Sequence, residues 1–431
     1  MHEGEQDEID DRGQRTNPEA RGAGPNHAAY NIAMISVHDG QNQILHHLAE
    51  PTSPEVVTVT RARDRVLAED LPAPFDVPPA DNSAVDGYAI ASDDVPKTST
   101  RELDVIAELV AGAVFAGTVG SGQAVRIMTG APMPRGTDTV YPQEVVERRG
   151  DRLSVGPIAK GANVRKRGED VRAGTIAIER GSVLRPQELG LITSLGHWQV
   201  LVHRRPRVAL MSTGDEVVEP GTPRKPGQIY DANRFALRGS IEQSGGEVID
   251  LGIVADVRDE LRARLLEAAE VGDLVVTSGG VSVGTLDLVK DVLGEIGAID
   301  FWQVAMQPGR PLAFGRIGAA HFFGLPGNPV ASMLAFMLFV RPAIYKLAGR
   351  RRLFPAMAEA TAVEAMSKKR GRREFKRGVV RWQNGRWEAR TTGPQGSGIL
   401  SSMAAGNCLI VLEEARGDVA VGETVLVELF E

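Results

Sequence analysis

The sequence has very little of what marks extracellular or membrane proteins. Among its 431 residues Cys408 is the only cysteine, so no internal disulfide can form and a reducing compartment is favoured. The longest apolar run, residues 331–340, is shorter than the roughly 20 residues that cross a bilayer. No signal-peptide hydrophobic segment is recognisable near residue 1. We therefore expect a soluble, cytoplasmic protein with no membrane partner.

Excess positive charge is also lacking. The formal net charge is -7, which gives no general attraction to nucleic acid or to anionic membranes. The basic run 368–377 contains one aromatic residue, Phe375, so it lacks the interleaved rings of a nucleic-acid site. We interpret it as a solvated strand rim or a patch that steers an anionic ligand. Cys408, beside Leu409, is interpreted as a small buried residue and not as a nucleophile.

The length predicts about three domains, at roughly 150 residues per domain. Residues 1–34 are acidic and lack apolar periodicity, which indicates a disordered tail. We expect N-terminal helical and β-rich domains over 35–205, two of them and interleaved in sequence. An α/β domain follows over 206–350, and a small β-barrel over 351–431. The predicted fold class is therefore α/β multidomain with a doubly wound central domain.

The N-terminal pattern predicts short elements between Gly and Pro breakers. Predicted helices cover residues 35–50, 59–69 and 187–195, and predicted strands cover 103–110, 124–128, 139–146 and 175–178. In the central region strands alternate with helices, which favours a parallel sheet with right-handed crossovers. The central strands are predicted at 207–213, 247–255, 274–277, 312–315 and 321–325, with helices at 233–244, 257–270, 286–296 and 329–347.

Polar residues follow the central strands where those strands end. They are residues 213–216, Asp256, the loop 278–284 with Asp287, and residues 326–329. Open parallel sheets bind ligands outside the carboxyl ends of their strands. Four separate segments are therefore expected to converge at one edge of the sheet.

The segment Thr277-Ser-Gly-Gly-Val-Ser-Val-Gly284 is typical of an anion-binding turn that leads into a helix. It has neither the P-loop lysine nor Gly-x-Gly-x-x-Gly spacing, and a tight turn without ligand remains an alternative. Glu216, Asp256 and Asp287 could each be a helix cap or a solvated acid. As a group beside a phosphate they favour a Mg²⁺ site, since that ion bridges carboxylates and phosphate oxygens.

Three further polar segments lie in the N-terminal half. They are Asp81-Asn-Ser-Ala-Val-Asp-Gly-Tyr-Ala89, residues 126–138, and Asn163-Val-Arg-Lys-Arg-Gly-Glu-Asp170. Each could be a turn with solvated charges. Their density of Asp, Asn, Thr and Gly beside proline exceeds what turns require.

In these segments the chain resembles the molybdopterin molybdenumtransferase family, which contains the bacterial MoeA proteins and the E domain of gephyrin. The resemblance covers residue 35 to the end and rests on ordered motifs: residues 81–89, 126–134, Arg167-Gly-Glu-Asp170, Ser212-Thr-Gly-Asp-Glu216, Ile229-Tyr-Asp-Ala-Asn-Arg234, 277–284, Pro308-Gly-Arg-Pro311 and Gly324-Leu-Pro-Gly-Asn-Pro-Val330. It implies an enzyme that inserts molybdenum from molybdate into adenylylated molybdopterin and releases AMP in a divalent-cation-dependent step.

The resemblance also implies the site residues. The predicted catalytic residues are Asp86, Thr129, Asp170, Glu216, Asp256 and Asp287, of which the last three are the predicted Mg²⁺ ligands. The predicted substrate-binding residues are Ser278, Gly279, Gly280, Ser282, Gly284, Arg310, Pro326, Asn328, Pro329 and Ser397. Gln307 and Arg310 stand where the family often has lysines, and only Arg310 keeps the charge.

The resemblance further implies a homodimer whose subunits share each site, with transfer partners in molybdenum cofactor synthesis and apo-molybdoenzymes as recipients. Two alternatives remain open at this point. One is a molybdopterin adenylyltransferase, since related domains share the glycine loop; the flanking β-rich regions argue against it. The other is a gephyrin-like scaffold without enzymatic activity, which an intact set of site carboxylates argues against.

Overall fold

A computed structural model describes residues 34–48, 50–110, 112–279 and 286–430. The description excludes residues 280–285 of the glycine loop and residues 1–33, so the predicted disordered tail lies outside it apart from Met34. It also excludes the side chains of Leu286, Asp287, Phe301 and Trp302.

The N-terminal region consists of short strands with two α-helices. Its elements are α1 (Val37–His47), β1 (Pro54–Thr58), β2 (Leu71–Pro72), β3 (Asn82–Ser83), β4 (Gly87–Ile90), β5 (Arg101–Leu109), β6 (Gln123–Ile127), β7 (Thr139–Pro142), β8 (Glu147–Arg149), β9 (Arg152–Val155), β10 (Val164–Arg165), β11 (Ile176–Ile178), α2 (Pro186–Ser194) and β12 (Gln199–His203). Ser36 caps α1 by accepting a hydrogen bond from the Asp39 amide.

The N-terminal region has cores in two separate parts. In the first part, strands β7-β4-β6-β5-β9-β8 form a six-stranded sheet with two buried clusters, one of which includes Ile90 and Leu103 and the other Ala89 and Val125. In the second part, strand β1 pairs with β12 and β2 pairs with β11, and these enclose a core that includes Leu67 and Val202. The first part is built from a stretch inserted between the two halves of the second.

The predicted helix over 59–69 is wrong. Only a 3₁₀ turn, Val59–Arg61, forms there, and Asp64 adopts a positive φ of 60°. Beyond it Val66 and Leu67 form bridges to Val183 and Val202. The β-branched residues of this stretch favour extended backbone, and pairing with distant strands decides the outcome.

The central region is a six-stranded sheet with helices. Its elements are β13 (Arg207–Thr213), β14 (Val217–Val218), β15 (Ile229–Tyr230), α3 (Ala232–Gln243), β16 (Glu247–Val254), α4 (Arg258–Val271), β17 (Leu274–Ser278), α5 (Leu286–Ile296), β18 (Gly297–Gln303), β19 (Met306–Gln307), β20 (Pro311–Ile317), β21 (Ala320–Leu325), α6 (Pro329–Ala335) and α7 (Arg341–Leu347).

The sheet order is β16-β13-β17-β21-β20-β18. The first four strands are parallel, as predicted, but β20 is antiparallel to both of its neighbours, so the expectation of an all-parallel sheet is wrong. The short link between β20 and β21 explains this, because a parallel pair needs a crossover of a dozen or more residues. Strand β18 was not predicted.

The predicted helix 329–347 is interrupted by a π-helical turn, Phe336–Val340. Pro342 has no N–H for the Leu338 carbonyl, and the Gln41 side-chain amide donates to that carbonyl instead, at 3.0 Å. Among the described residues this is the one helix long and apolar enough to cross a membrane, but 83% of its apolar window is buried inside the protein. It therefore packs as a core helix.

The C-terminal region comprises β22 (Met357–Ala362), β23 (Arg373–Gln383), β24 (Arg386–Thr391), α8 (Ser401–Ala405), β25 (Cys408–Leu412) and β26 (Thr424–Leu429). The strands pair in the order β23-β24-β22-β26-β25, and β25 pairs back with β23, which closes the predicted barrel. Cys408 is fully buried inside it, and burial raises the pKa of its thiol to about 12, so it is no nucleophile.

Candidate active site

An acidic turn follows β13. Gly214 has φ of 133°, and the Glu216 carboxylate folds over it, since a Cβ at Gly214 would lie 2.7 Å from Glu216 Oε2. A side chain at this position would displace that carboxylate. The sequence therefore needs glycine here to place Glu216 above the end of the strand.

Asp256, which follows β16, joins this turn. Its amide donates to Asp215 Oδ1 at 3.1 Å, so the ends of β13 and β16 are directly linked. Burial and the nearby carboxylates of Asp215 and Glu216 raise the pKa of Asp256 above its ordinary value. The structure thus brings Glu216 and Asp256 together and adds Asp215, which lies in the predicted polar segment 213–216 but was not predicted as a catalytic residue or metal ligand.

Asp287 belongs to α5, directly after the glycine loop, but its side chain is outside the description. Within the described part of the chain no group of three or more His, Cys, Asp or Glu residues is arranged to hold a metal ion. The three-carboxylate Mg²⁺ site therefore stays a prediction.

The start of the glycine loop packs tightly at the same edge. Ser278 is buried, and the Gly279 amide donates to the Leu325 carbonyl at 3.2 Å. Gly279 has φ of 92°, and a Cβ there would lie 2.6 Å from the Thr213 carbonyl oxygen. Only glycine allows β13 and β17 to approach in this way. Gly280, Ser282 and Gly284 lie outside the described residues.

The loop 326–329 leads from β21 of the central sheet into α6, and the start of that helix contacts the C-terminal region. The Gly327 carbonyl accepts from Asn233 Nδ2 at 2.7 Å, and Pro329 opens α6 directly after Asn328. The Val330 amide donates to the Ser397 carbonyl at 3.0 Å. Ser397, predicted from the resemblance alone, therefore lies beside Asn328 and Pro329.

These residues border a cavity of about 440 Å³. It is lined by Met306, Gln307, Pro308, Gly309, Arg310, Pro311, Pro326, Gly327, Asn328, Ala331, Arg372, Gln395, Gly396 and Ser397. The Gln303 side chain accepts from Arg310 Nη2 at 2.9 Å and fixes that guanidinium. Arg372 was not predicted as a site residue. Its position in the basic run 368–377 was the indication in the sequence that it could attract an anion.

The N-terminal polar segments form a second cluster. Asp86 Oδ1 accepts from both the amide and the hydroxyl of Thr129, each at 2.7 Å. These two bonds hold the pKa of Asp86 below its ordinary value. Asp81 accepts a hydrogen bond from the Arg167 amide at 2.8 Å, which joins the segment 163–170 to this cluster. Asp170, in the same segment, is exposed.

No hydrogen bond or ion pair that the described residues make connects this second cluster to the acidic turn or to the 326–329 loop. One chain therefore presents two polar clusters, each built from segments that are distant in sequence. The predicted catalytic residues divide between them, with Asp86, Thr129 and Asp170 in one and Glu216 and Asp256 in the other.

Three family models match the chain in succession. They are the MoeA N-terminal region (domain I and II) over residues 35–196, a probable molybdopterin binding domain over 209–346, and the MoeA C-terminal region (domain IV) over 359–430. Together they include both polar clusters and Ser397.

Relatives match over nearly their whole length. The molybdopterin molybdenumtransferase of Haemophilus influenzae is 41% identical over 401 residues, which covers 92% of this chain and 99% of that protein. Molybdopterin molybdenumtransferase 2 of Mycobacterium tuberculosis is 34% identical, covering 90% and 98%. The crystal structure of the molybdopterin biosynthesis moeA protein from Pyrococcus horikoshii superposes with a TM-score of 0.80 at 32% identity, covering 92% and 100%. This chain belongs to the molybdopterin molybdenumtransferase family.

Proposed function

We propose that this enzyme inserts molybdenum from molybdate into adenylylated molybdopterin and releases AMP. The observation that carries this proposal is the end-to-end similarity to relatives named molybdopterin molybdenumtransferase, with the N-terminal and C-terminal regions included. An adenylyltransferase would need the central α/β domain but not the regions that flank it. The same similarity supports an enzyme over a pure scaffold.

The anionic groups of the substrates have suitable partners at the central edge. The sequence of the loop 278–284, which precedes α5, is typical of an anion-binding turn and would suit the phosphoanhydride. The cavity bordered by Arg310, Arg372 and Ser397 suits a tetrahedral oxyanion, since guanidinium groups donate two parallel hydrogen bonds to such anions. Gln307 lines the cavity but is uncharged, so the positive charges that would attract the oxyanion are those of Arg310 and Arg372.

We infer that the acidic turn, completed by Asp287, binds a divalent cation. The raised pKa of Asp256 reflects repulsion from Asp215 and Glu216 as well as burial, and a bound cation would relieve that repulsion. Glu216 and Asp256, with Asp287, would hold Mg²⁺, which polarises the phosphoanhydride when bound. Attack by water or a molybdate oxygen on the molybdopterin-side phosphorus would form a new P–O bond there and break the P–O bond to AMP, which leaves with the bridging oxygen.

We further propose a cytoplasmic homodimer in which the Asp86 cluster of one subunit completes the acidic edge of the other. The lack of described hydrogen bonds between the two clusters within one chain supports this arrangement. Asp86→Ala and Asp256→Ala chains should each be inactive alone. A co-expressed mixture should regain activity, because one of its two shared sites then holds both native residues. An inactive mixture would count against a shared site.

The central test measures AMP release from adenylylated molybdopterin with Mg²⁺ and molybdate, and again with tungstate. Asp256→Asn should slow release by about 100-fold or more, because it removes one charge from the cation site. Asp259→Asn is the matched control, as Asp259 is an exposed carboxylate in the first turn of α4. Wild-type rates in Asp256→Asn, or consumption of ATP in place of the adenylylated substrate, would refute the proposal.

A further inference from the structure

A groove lies where the chain leaves α7. Residues 349–352 run against the turn Arg180-Gly181, and the Arg351 amide donates to the Gly181 carbonyl at 3.2 Å. Gly181 has φ of 79°, and a Cβ there would lie 2.6 Å from Arg351 Cγ, so this close approach requires glycine. Two adjoining cavities of about 330 and 910 Å³ border the contact, and both are lined by Gly181, Arg350 and Arg351. The groove is separate from the candidate active site.

Positive charge dominates this groove, which we call the arginine seam. Its arginines are Arg180, Arg185, Arg350, Arg351 and Arg352, and the acids that line it are Glu50 and Glu188. Arg185 pairs with Glu188 at 2.6 Å, and Arg351 pairs with Glu179 outside the lining. The described ion pairs include none for Arg180, Arg350 or Arg352. The seam thus keeps uncompensated positive charge.

Arg350 is the best-positioned member of the seam. Its guanidinium carbon lies 3.8 Å from the centre of the Tyr345 ring, which fixes the plane of the group. Its Nε is buried and has no hydrogen-bond partner among the described residues. Outside the seam, burial, Arg65 and, to the smallest degree, Arg350 lower the pKa of Arg205, while Asp64 and Glu247 oppose them.

The helix end alone does not account for this arrangement. Carbonyl groups at the end of α7 favour cations nearby, which is a sufficient reason for Arg350. They give no reason for Arg180, which lies on a separate turn after β11 and whose side chain is exposed. Convergence of arginines from two segments on one groove points to an anion between them.

We propose that the arginine seam binds a phosphate group, either as inorganic phosphate or as part of a nucleotide, between Arg180 and Arg350. A tetrahedral dianion accepts charge-assisted hydrogen bonds from several guanidinium groups at once. The larger cavity has the size of a small-molecule site. Phe354 lines it and is 45% exposed, so its ring is available to stack on a nucleoside base.

The test is calorimetric titration of the full chain with inorganic phosphate at constant ionic strength. Arg180→Gln and Arg350→Gln should each weaken binding about tenfold, since each removes a charge-assisted contact. Arg381→Gln is the control, because it removes the same charge from an exposed site on the barrel. Arg350 packs on Tyr345, so its variant is included only if its circular-dichroism melting matches the wild type. Arg180→Gln decides the question if it does not.

A second titration with AMP identifies the source of the phosphate group. Tighter binding of AMP than of phosphate, reduced by Phe354→Leu, assigns the seam to a nucleotide. Equal binding of the two, unaffected by Phe354→Leu, assigns it to free phosphate. The proposal is overturned if the wild type binds neither ligand, if Arg180→Gln binds both as well as the wild type, or if Arg381→Gln loses as much affinity.

Discussion

Arg234 connects the elements that carry the acidic turn, and its removal is the most informative perturbation of the fold. Its Nε donates to Asp231 at 2.9 Å, its Nη1 donates to Asp250 at 2.7 Å, and its Nη2 contacts Glu219. The side chains of Arg234 and Asp231 are only 6% and 2% exposed. Asp231 caps α3 and accepts from Ser212 at the end of β13, so the network ties that strand to the turn that follows.

Arg234→Met should destabilise the central domain by about 3–5 kcal/mol, because it leaves the buried Asp231 and the partly buried Asp250 without their cationic partner. Burial alone would raise the pKa of Asp250, but hydrogen bonds from Arg234 and the Gly252 amide hold it below its ordinary 3.8. A carboxylate with a depressed pKa stabilises the fold above its unfolded pKa and loses that effect as the pH falls through the folded value. The destabilisation should therefore be full at neutral pH and shrink below about pH 4.

Native-state hydrogen exchange of the β13 and α3 amides measures this loss locally, which suits a multidomain chain. Arg238→Met is the matched control on the same helix. Arg238 is 49% exposed and pairs with Glu242 at 3.1 Å and, at the longer distance of 3.7 Å, with Asp250, so its loss should cost less than about 1 kcal/mol. Asp231→Asn combined with Arg234→Met should recover part of the stability, because the buried charge is removed while a side-chain oxygen still caps α3 and accepts from Ser212. A loss in Arg234→Met no larger than in the control would refute this reasoning.

Three further outcomes are expected. Native Cys408 should resist a thiol reagent at pH 8 and react once the chain is unfolded, because burial raises its pKa to about 12. Thr129→Val should raise the pKa of Asp86 and move the acid limb of the activity profile to higher pH, since one hydrogen bond to the carboxylate is lost. Asp215→Asn should lower the pKa of Asp256, seen by carbon-detected NMR, and weaken Mn²⁺ binding, because a neighbouring negative charge is removed.

Each outcome has a matched comparison. The thiol assay is repeated on unfolded protein, and equal rates in the two states would contradict burial of the sulfur. Thr129→Ser keeps the hydroxyl and should leave the acid limb unchanged. For Asp256, Asp259→Asn removes a charge from the exposed start of α4 and should leave the titration near the wild-type curve. An unshifted pKa of Asp256 in Asp215→Asn would show that burial and Glu216, and not Asp215, raise it.

Most central elements followed from local pattern, because apolar runs such as 207–213 and 274–278 are long and bounded by glycine or charge. The mistakes lie where distant pairing decides. Val66 and Leu67 are extended because Val183 and Val202 bridge to them. Strand β20 reverses direction because its short link to β21 permits only an antiparallel pair.

The site shows the same division. Ordered motifs in the sequence were enough to identify the family. Those motifs also predicted Glu216, Asp86 and Thr129 as site residues, and the position of Asp256 after a strand predicted it as well. The contact of Asp256 with Asp215, and the position of Ser397 beside Asn328, depend on segments 41 residues or more apart in sequence. The residue types in a turn determine which ligands that turn can bind. The tertiary fold determines which turns come together, because contacts between distant segments form only when the strands that carry them pack against each other.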